Sequence, residues 1–140
     1  MIKQIIEFSI LNPKKLFLID GFGATLSALL LGLVLVKYES VFGIPPSTLY
    51  LLALLPVFFI IYDFYCYFKK GSKKQTQFLK RIALINLLYC CLSIGAAFYH
   101  SKTITNLGWT YILVEVLIII VLAIIEFTTA KRLTKKLESM

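Results

Sequence analysis

Residues 107–127 read LGWTYILVEVLIIIVLAIIEF, an apolar run broken only by Glu115 and Glu126. A helix rises ~1.5 Å per residue, so about 20 such residues cross the ~30 Å hydrocarbon core of a bilayer. The run does not alternate with period two, which excludes a barrel strand. Three further runs of similar character lie upstream, over Leu16 to Val36, Thr48 to Phe68 and Ile82 to Tyr99. Buried helices of soluble proteins are shorter and amphipathic, so four such runs in succession read as membrane spans. They occupy more than half of the 140 residues and leave room for one domain only, residues 1–140. The expected fold is an all-α integral membrane protein.

The connections set its form. Gly43 and Pro45-Pro46 interrupt the chain between the first two runs. The basic segment Lys69-Lys70-Gly71-Ser72-Lys73-Lys74 separates the second from the third, and a polar turn, His100 to Asn106, the third from the fourth. Short links place neighbouring helices antiparallel, giving an up-down-up-down four-helix transmembrane bundle. Pro56 removes a backbone donor inside the second span and is expected to bend it. Gly23, Ser27, Ala28 and Gly32 on the first span, with Ser93 and Ala97 on the third, are expected to let helix backbones approach closely. Residues 1–12, MIKQIIEFSILN, repeat Ile2, Ile5, Ile6 and Ser9 at helical spacing but are too short to span, and lack a signal-peptide core and cleavage site. They read as an interfacial helix ended by Asn12-Pro13. The tail 128–140 is expected to continue as helix beyond the membrane.

The net charge of +8 does not point to nucleic acid, because the basic residues sit at the ends of apolar runs. Thirteen of the 15 Lys and Arg residues fall in the N-terminal flank, the middle segment and the tail; Lys37 and Lys102 fall in the other two turns. The positive-inside rule then puts both termini in the cytoplasm, in a multi-pass plasma (inner) membrane protein whose basic ends meet anionic lipid headgroups. Tyr38, Phe42, Tyr50, Tyr99, Trp109 and Tyr111 suit an outer aromatic belt, and Phe64, Tyr65, Tyr67, Phe68 and Phe127 an inner one.

Ionisable groups inside spans are costly and are the first candidates for function. Asp20, Asp63 and the polar Asn86 lie ~6–8 Å from the cytoplasmic end of their spans and Glu126 ~2–3 Å, a polar layer drawn from all four helices. Glu115 lies roughly 18–20 Å in, near the midplane. Glu115 and Glu126 share a helix face with Tyr111 and Leu122; Asp20, Gly23, Ala24 and Ser27 share another; Asn86, Cys90, Ser93 and Ala97 a third, with Tyr89 alongside. Pointed inward, these faces form a polar seam through Ser27 and Ser93 towards Glu115. With no Lys or Arg deep in any span, Glu115 is either a neutral acid hydrogen-bonded inside the bundle or a group facing a wet pocket. Asp20, Asp63 and Glu126 are within snorkelling reach of Lys14, Lys15, Lys69, Lys70 and Lys131. The lone His100 is expected at a solvated edge. Cys66, Cys90 and Cys91, an odd set without a C-x-x-C, form no disulfide framework and read as small packing residues, with vicinal Cys90-Cys91 as a redox or metal site the alternative. Asp20-Gly21-Phe22-Gly23 lacks the glycine and lysine of a phosphate loop. No cofactor or metal is implied.

Asp20 with Gly23, Phe42-Gly43-Ile44-Pro45, Asn86, Leu107-Gly108 and Glu126 resemble the pattern of a group of small, uncharacterised bacterial four-span membrane proteins, over residues ~16–127 as judged by span length. The resemblance implies the fold and brings no activity with it. The intramembrane acids alone are also similar to those of the EXPERA-type sterol isomerases and sterol-binding proteins. The absence of a nucleophile–base pair, metal set or cofactor motif favours a non-enzymatic accessory or structural subunit. The alternative is a bundle that binds lipid or a small molecule, or couples transport to protons, through Glu115; at this length a transporter would need to dimerise or join a membrane partner protein. A third reading is an acid–base isomerase with Glu115 as proton donor, which requires Asp63 or Tyr89 within reach of the same substrate.

Overall fold

A computed structural model describes residues 2–68 and 72–139 of the chain, all of it helix and short turns. Helix α1 covers Ile2–Leu11 and α2 Pro13–Leu29, with proline at its first turn where a missing N–H costs nothing. The chain then widens into a π-helical segment, Leu30–Leu35. A single turn, α3 (Glu39–Phe42), leads to α4 (Pro46–Phe68), α5 (Ser72–Tyr99) and α6 (Asn106–Glu138). Four helices are long and apolar enough to cross a membrane: Lys14–Leu35, Pro46–Phe68, Lys73–Tyr99 and Asn106–Glu138. They mark the chain as a multi-pass membrane protein.

The third helix starts ten residues earlier than the sequence reading placed it. Lys69, Lys70 and Gly71 lie outside the described residues, but Lys73 and Lys74 belong to α5 rather than to a loop. No glycine or proline interrupts residues 72–82, and Gln75, Thr76, Leu79, Ile82 and Ala83 bury one face at helical spacing. Helix α6 is also longer than a span. Its 33 residues reach about 50 Å. Its far end packs on α1, where Ile6 joins Leu16, Phe17, Leu79, Ile125, Ala130 and Leu133 in one apolar cluster. A second cluster, around Leu31, Leu35, Leu49, Leu52, Tyr89, Ile112 and Val116, fills the other end of the bundle.

The helices pack mainly as two pairs, α2 with α4 and α5 with α6, while α2 and α4 meet α5 and α6 only sparsely. The two turns clasp at one end. Thr105 N–H donates to the Phe42 carbonyl (3.1 Å), Thr103 Oγ1 donates to the Gly43 carbonyl (3.1 Å), and Thr48 Oγ1 lies 2.7 Å from His100 Nε2. His100 is therefore a partner of Thr48 across the turns, half-buried, not a freely solvated side chain. Two glycines permit the clasp. Gly43 has φ +72°, and a Cβ there would strike the Thr103 carbonyl; a Cβ on Gly108 would strike the Phe42 carbonyl. Thr105 caps α6 by accepting from Gly108 N–H at 3.1 Å.

The small residues of α2 divide into two uses. Gly32 does bring helices together, since a Cβ there would sit 3.4 Å from that of Ala53 on α4. Gly23 does not: a Cβ there meets nothing within 4 Å. The expectation of close approach fails at Gly23 and Ser27 because that face of α2 borders a cavity between the two helix pairs.

Candidate functional site

Asn86 of α5 ties the polar layer together. Its Nδ2 donates to Asp20 Oδ1 on α2 at 2.8 Å and to Glu126 Oε1 on α6 at 2.9 Å. Both amide hydrogens are used. The Asp63 carboxyl from α4 faces that of Asp20, so each long helix contributes one group. All four are buried, Asp63 to 2% exposure and Glu126 to 0%. Both Asp63 oxygens, Glu126 Oε2 and the neighbouring Thr129 hydroxyl are buried without a partner at hydrogen-bonding geometry. The layer lies between the two apolar clusters.

Of the lysines expected to reach these acids, the three that the structure describes do not. Lys14 lies over the Tyr67 ring at 5.9 Å and Lys15 over the Phe8 ring at 5.5 Å, while Lys131 is exposed and Lys69 and Lys70 fall outside the described residues. Among the described residues, the groups acting on Asp20, Asp63, Glu115 and Glu126 are other acids, Asn86, tyrosines and Ser27, and none is a cation.

Glu115, 8% exposed, forms a separate centre. Tyr89 from α5 donates to its Oε1 at 2.9 Å, and Tyr111, one turn earlier on α6, donates to its Oε2 at 2.6 Å. The Ser27 hydroxyl of α2 stands beside the same carboxyl. Three helices thus meet on one acid. Tyr89 is held in place by its surroundings. Its ring packs edge-on against Phe59 at 5.8 Å. Pro56 has no N–H to offer the carbonyl of Leu52, and the Tyr89 hydroxyl lies 3.5 Å from that carbonyl, a long contact beside its shorter one to Glu115.

A cavity of about 200 Å³ connects the two centres. Asp20 and Asn86 border one end and Glu115, Tyr111 and Ser27 the other; Gly23, Ala24, Pro56, Phe59 and Leu122 form apolar walls between them. The polar seam expected from the sequence is therefore interrupted. Ser93 is fully buried away from this space, and the stretch between the centres is apolar. Leu26, Val114 and Ile118 on the rim are more than half exposed, so the cavity opens sideways between α2 and α6.

Of the six candidates read from the sequence, the structure gathers Asp20, Asp63, Asn86 and Glu126 in one group and Glu115 with Tyr89 in another. Asp63 is not brought to Glu115. Tyr111 was assigned to the outer belt, yet its hydroxyl points inward. Its four-residue spacing from Glu115 on a shared face was the available signal. Ser27 stands where the seam placed it, while Phe59 and Pro56 carried no signal beyond bulk and a missing donor. Cys66 and Cys90 are buried and free, and Cys91 is free and exposed. Among the described residues no three His, Cys, Asp or Glu side chains are placed to hold a metal ion. Compared with known proteins, the chain matches no family model, no curated protein and no solved structure.

Proposed function

We propose that this chain is a membrane-embedded binding bundle that takes an apolar small molecule, or one segment of a lipid, into the cavity between its two helix pairs. The cavity beside Glu115 carries this reading. An engineered apolar cavity of roughly 150 Å³ holds benzene, so a space of about 200 Å³ suits one ring system or a short chain segment. Entry is from the bilayer, through the gap between α2 and α6. In this reading the helices alternate up-down-up-down in the plasma membrane. Both termini and the basic segment around Lys73 are cytoplasmic, and α1 lies along that surface with Lys3, Gln4 and Glu7 outward.

Gly23→Leu tests the binding role, because a side chain there projects into open space. Wild-type protein purified in mild detergent is expected to carry a co-purifying apolar ligand visible by native mass spectrometry, and Gly23→Leu protein to lack it while melting no lower. Equal ligand content in the two proteins would overturn the reading.

The accessory-subunit reading has one observation of its own: the Asn86 bridge, which braces the helices without needing a ligand. It expects Glu115→Gln and Gly23→Leu to leave the protein's cellular role intact. The acid–base isomerase reading rests on the Tyr89–Glu115 contact alone.

A further inference from the structure

Hydrogen-bond accounting around Glu115 narrows the ligand class. A carboxylate offers about four acceptor positions, and each hydroxyl oxygen about two more. The cluster of Glu115, Tyr89, Tyr111 and Ser27 holds three hydroxyl hydrogens; those of both tyrosines are committed to the carboxyl, and the Ser27 hydroxyl stands beside it. With Glu115 ionised, acceptor positions remain on its carboxylate and on the hydroxyl oxygens, while both tyrosine hydrogens are taken up. A ligand that only accepts, such as a ketone or an ester, would have to compete with that carboxylate for the tyrosine hydrogens. A ligand with several donors on one atom fits.

Charge points the same way. No Lys or Arg among the described residues acts on Glu115. The rings of Phe59, Tyr89 and Tyr111 line the same cavity, and a cation gains where it sits over a ring face. The remaining walls are apolar, and Asp20 at the far end adds negative rather than positive character. We propose that the ligand is a lipophilic amine: an ammonium group seated on Glu115 between the tyrosine hydroxyls, with its hydrocarbon body in the cavity between α2 and α6. This rests on the binding role proposed above and adds the chemistry of the head group.

Adamantan-1-amine and adamantan-1-ol test it, since the two share one compact hydrocarbon cage and differ in the cationic, multi-donor head. Each is equilibrated by dialysis against wild-type protein in lipid nanodiscs, with protein-free nanodiscs subtracted. The amine is expected to bind, the alcohol to bind about tenfold or more weakly, and Glu115→Gln to weaken the amine by a similar factor, as the loss of a charge-assisted hydrogen bond implies. Circular dichroism checks that the variant keeps its helices; should it not fold, the amine–alcohol comparison on wild-type protein decides alone. Equal binding of amine and alcohol, or an amine indifferent to a folded Glu115→Gln, would overturn the amine assignment and leave the cavity reading standing. If the wild-type protein binds neither compound while Gly23→Leu still strips a co-purified ligand, the amine assignment alone falls. If it binds neither and no ligand co-purifies, both readings fall.

Discussion

Asn86 does more than its single side chain suggests, because one amide nitrogen serves acids on two other helices. Removing it leaves Asp20 Oδ1 and Glu126 Oε1 buried without that donor. Unsatisfied buried acceptors cost about 1–3 kcal/mol, and interhelical hydrogen bonds inside membranes measure at the lower end. Asn86→Leu is therefore expected to lower stability by about 1–3 kcal/mol, read as an earlier unfolding midpoint in mixed micelles. A midpoint equal to wild type would show the bridge to be idle. The polar residues themselves were legible in the sequence, because an acid or an amide inside an apolar run stands out at once. Their sorting into two centres was partly legible from depth along each helix. Their partners were harder to read. Tyr111 looked like a belt residue because tyrosines near span ends usually are, although it shares a helix face with Glu115, and its hydroxyl turns to that acid.

At the scale of elements, the joints between helices carry the specificity. Gly43 and Gly108 let the two turns touch, and neither tolerates a Cβ without backbone movement. Gly108→Ala is expected to cost about 1–3 kcal/mol, as overpacking usually does, with a lower melting temperature by circular dichroism. Gly23→Ala is the matched control, since the added methyl meets open space and replaces a mid-helix glycine. It is expected to be neutral or stabilising, and equal losses at the two positions would contradict the clasp. The sequence announced the Gly43-Ile44-Pro45-Pro46 break but not this difference between glycines, which depends on what lies opposite each. It also held no sign of the π-helical turn at Leu30–Leu35, where an ordinary apolar run widens just where the cavity ends. The early start of α5 was missed for another reason: lysines were weighed as loop and topology markers, although they are good helix formers.

For the whole molecule, four spans could be read from length and hydropathy, whereas the pairing of helices could not. Short links suggested a bundle of antiparallel neighbours without saying which would pack closely; the structure joins two tight pairs along a sparse seam. The orientation proposed for them has a direct check. A C-terminal green fluorescent protein fusion is expected to fluoresce and a C-terminal alkaline phosphatase fusion to be inactive, with the reverse pattern refuting cytoplasmic termini. The sideways mouth between α2 and α6 has a consequence for how affinity is expressed. A guest arriving through it dissolves first among the acyl chains, so occupancy follows its mole fraction in lipid and not its aqueous activity. At constant total guest, extra protein-free vesicles would act as a competing solvent and drain the site. A compound that looks feeble on an aqueous scale could then fill the protein at modest doses, and dissociation constants from preparations with different lipid-to-protein ratios would agree only after partitioning is taken out.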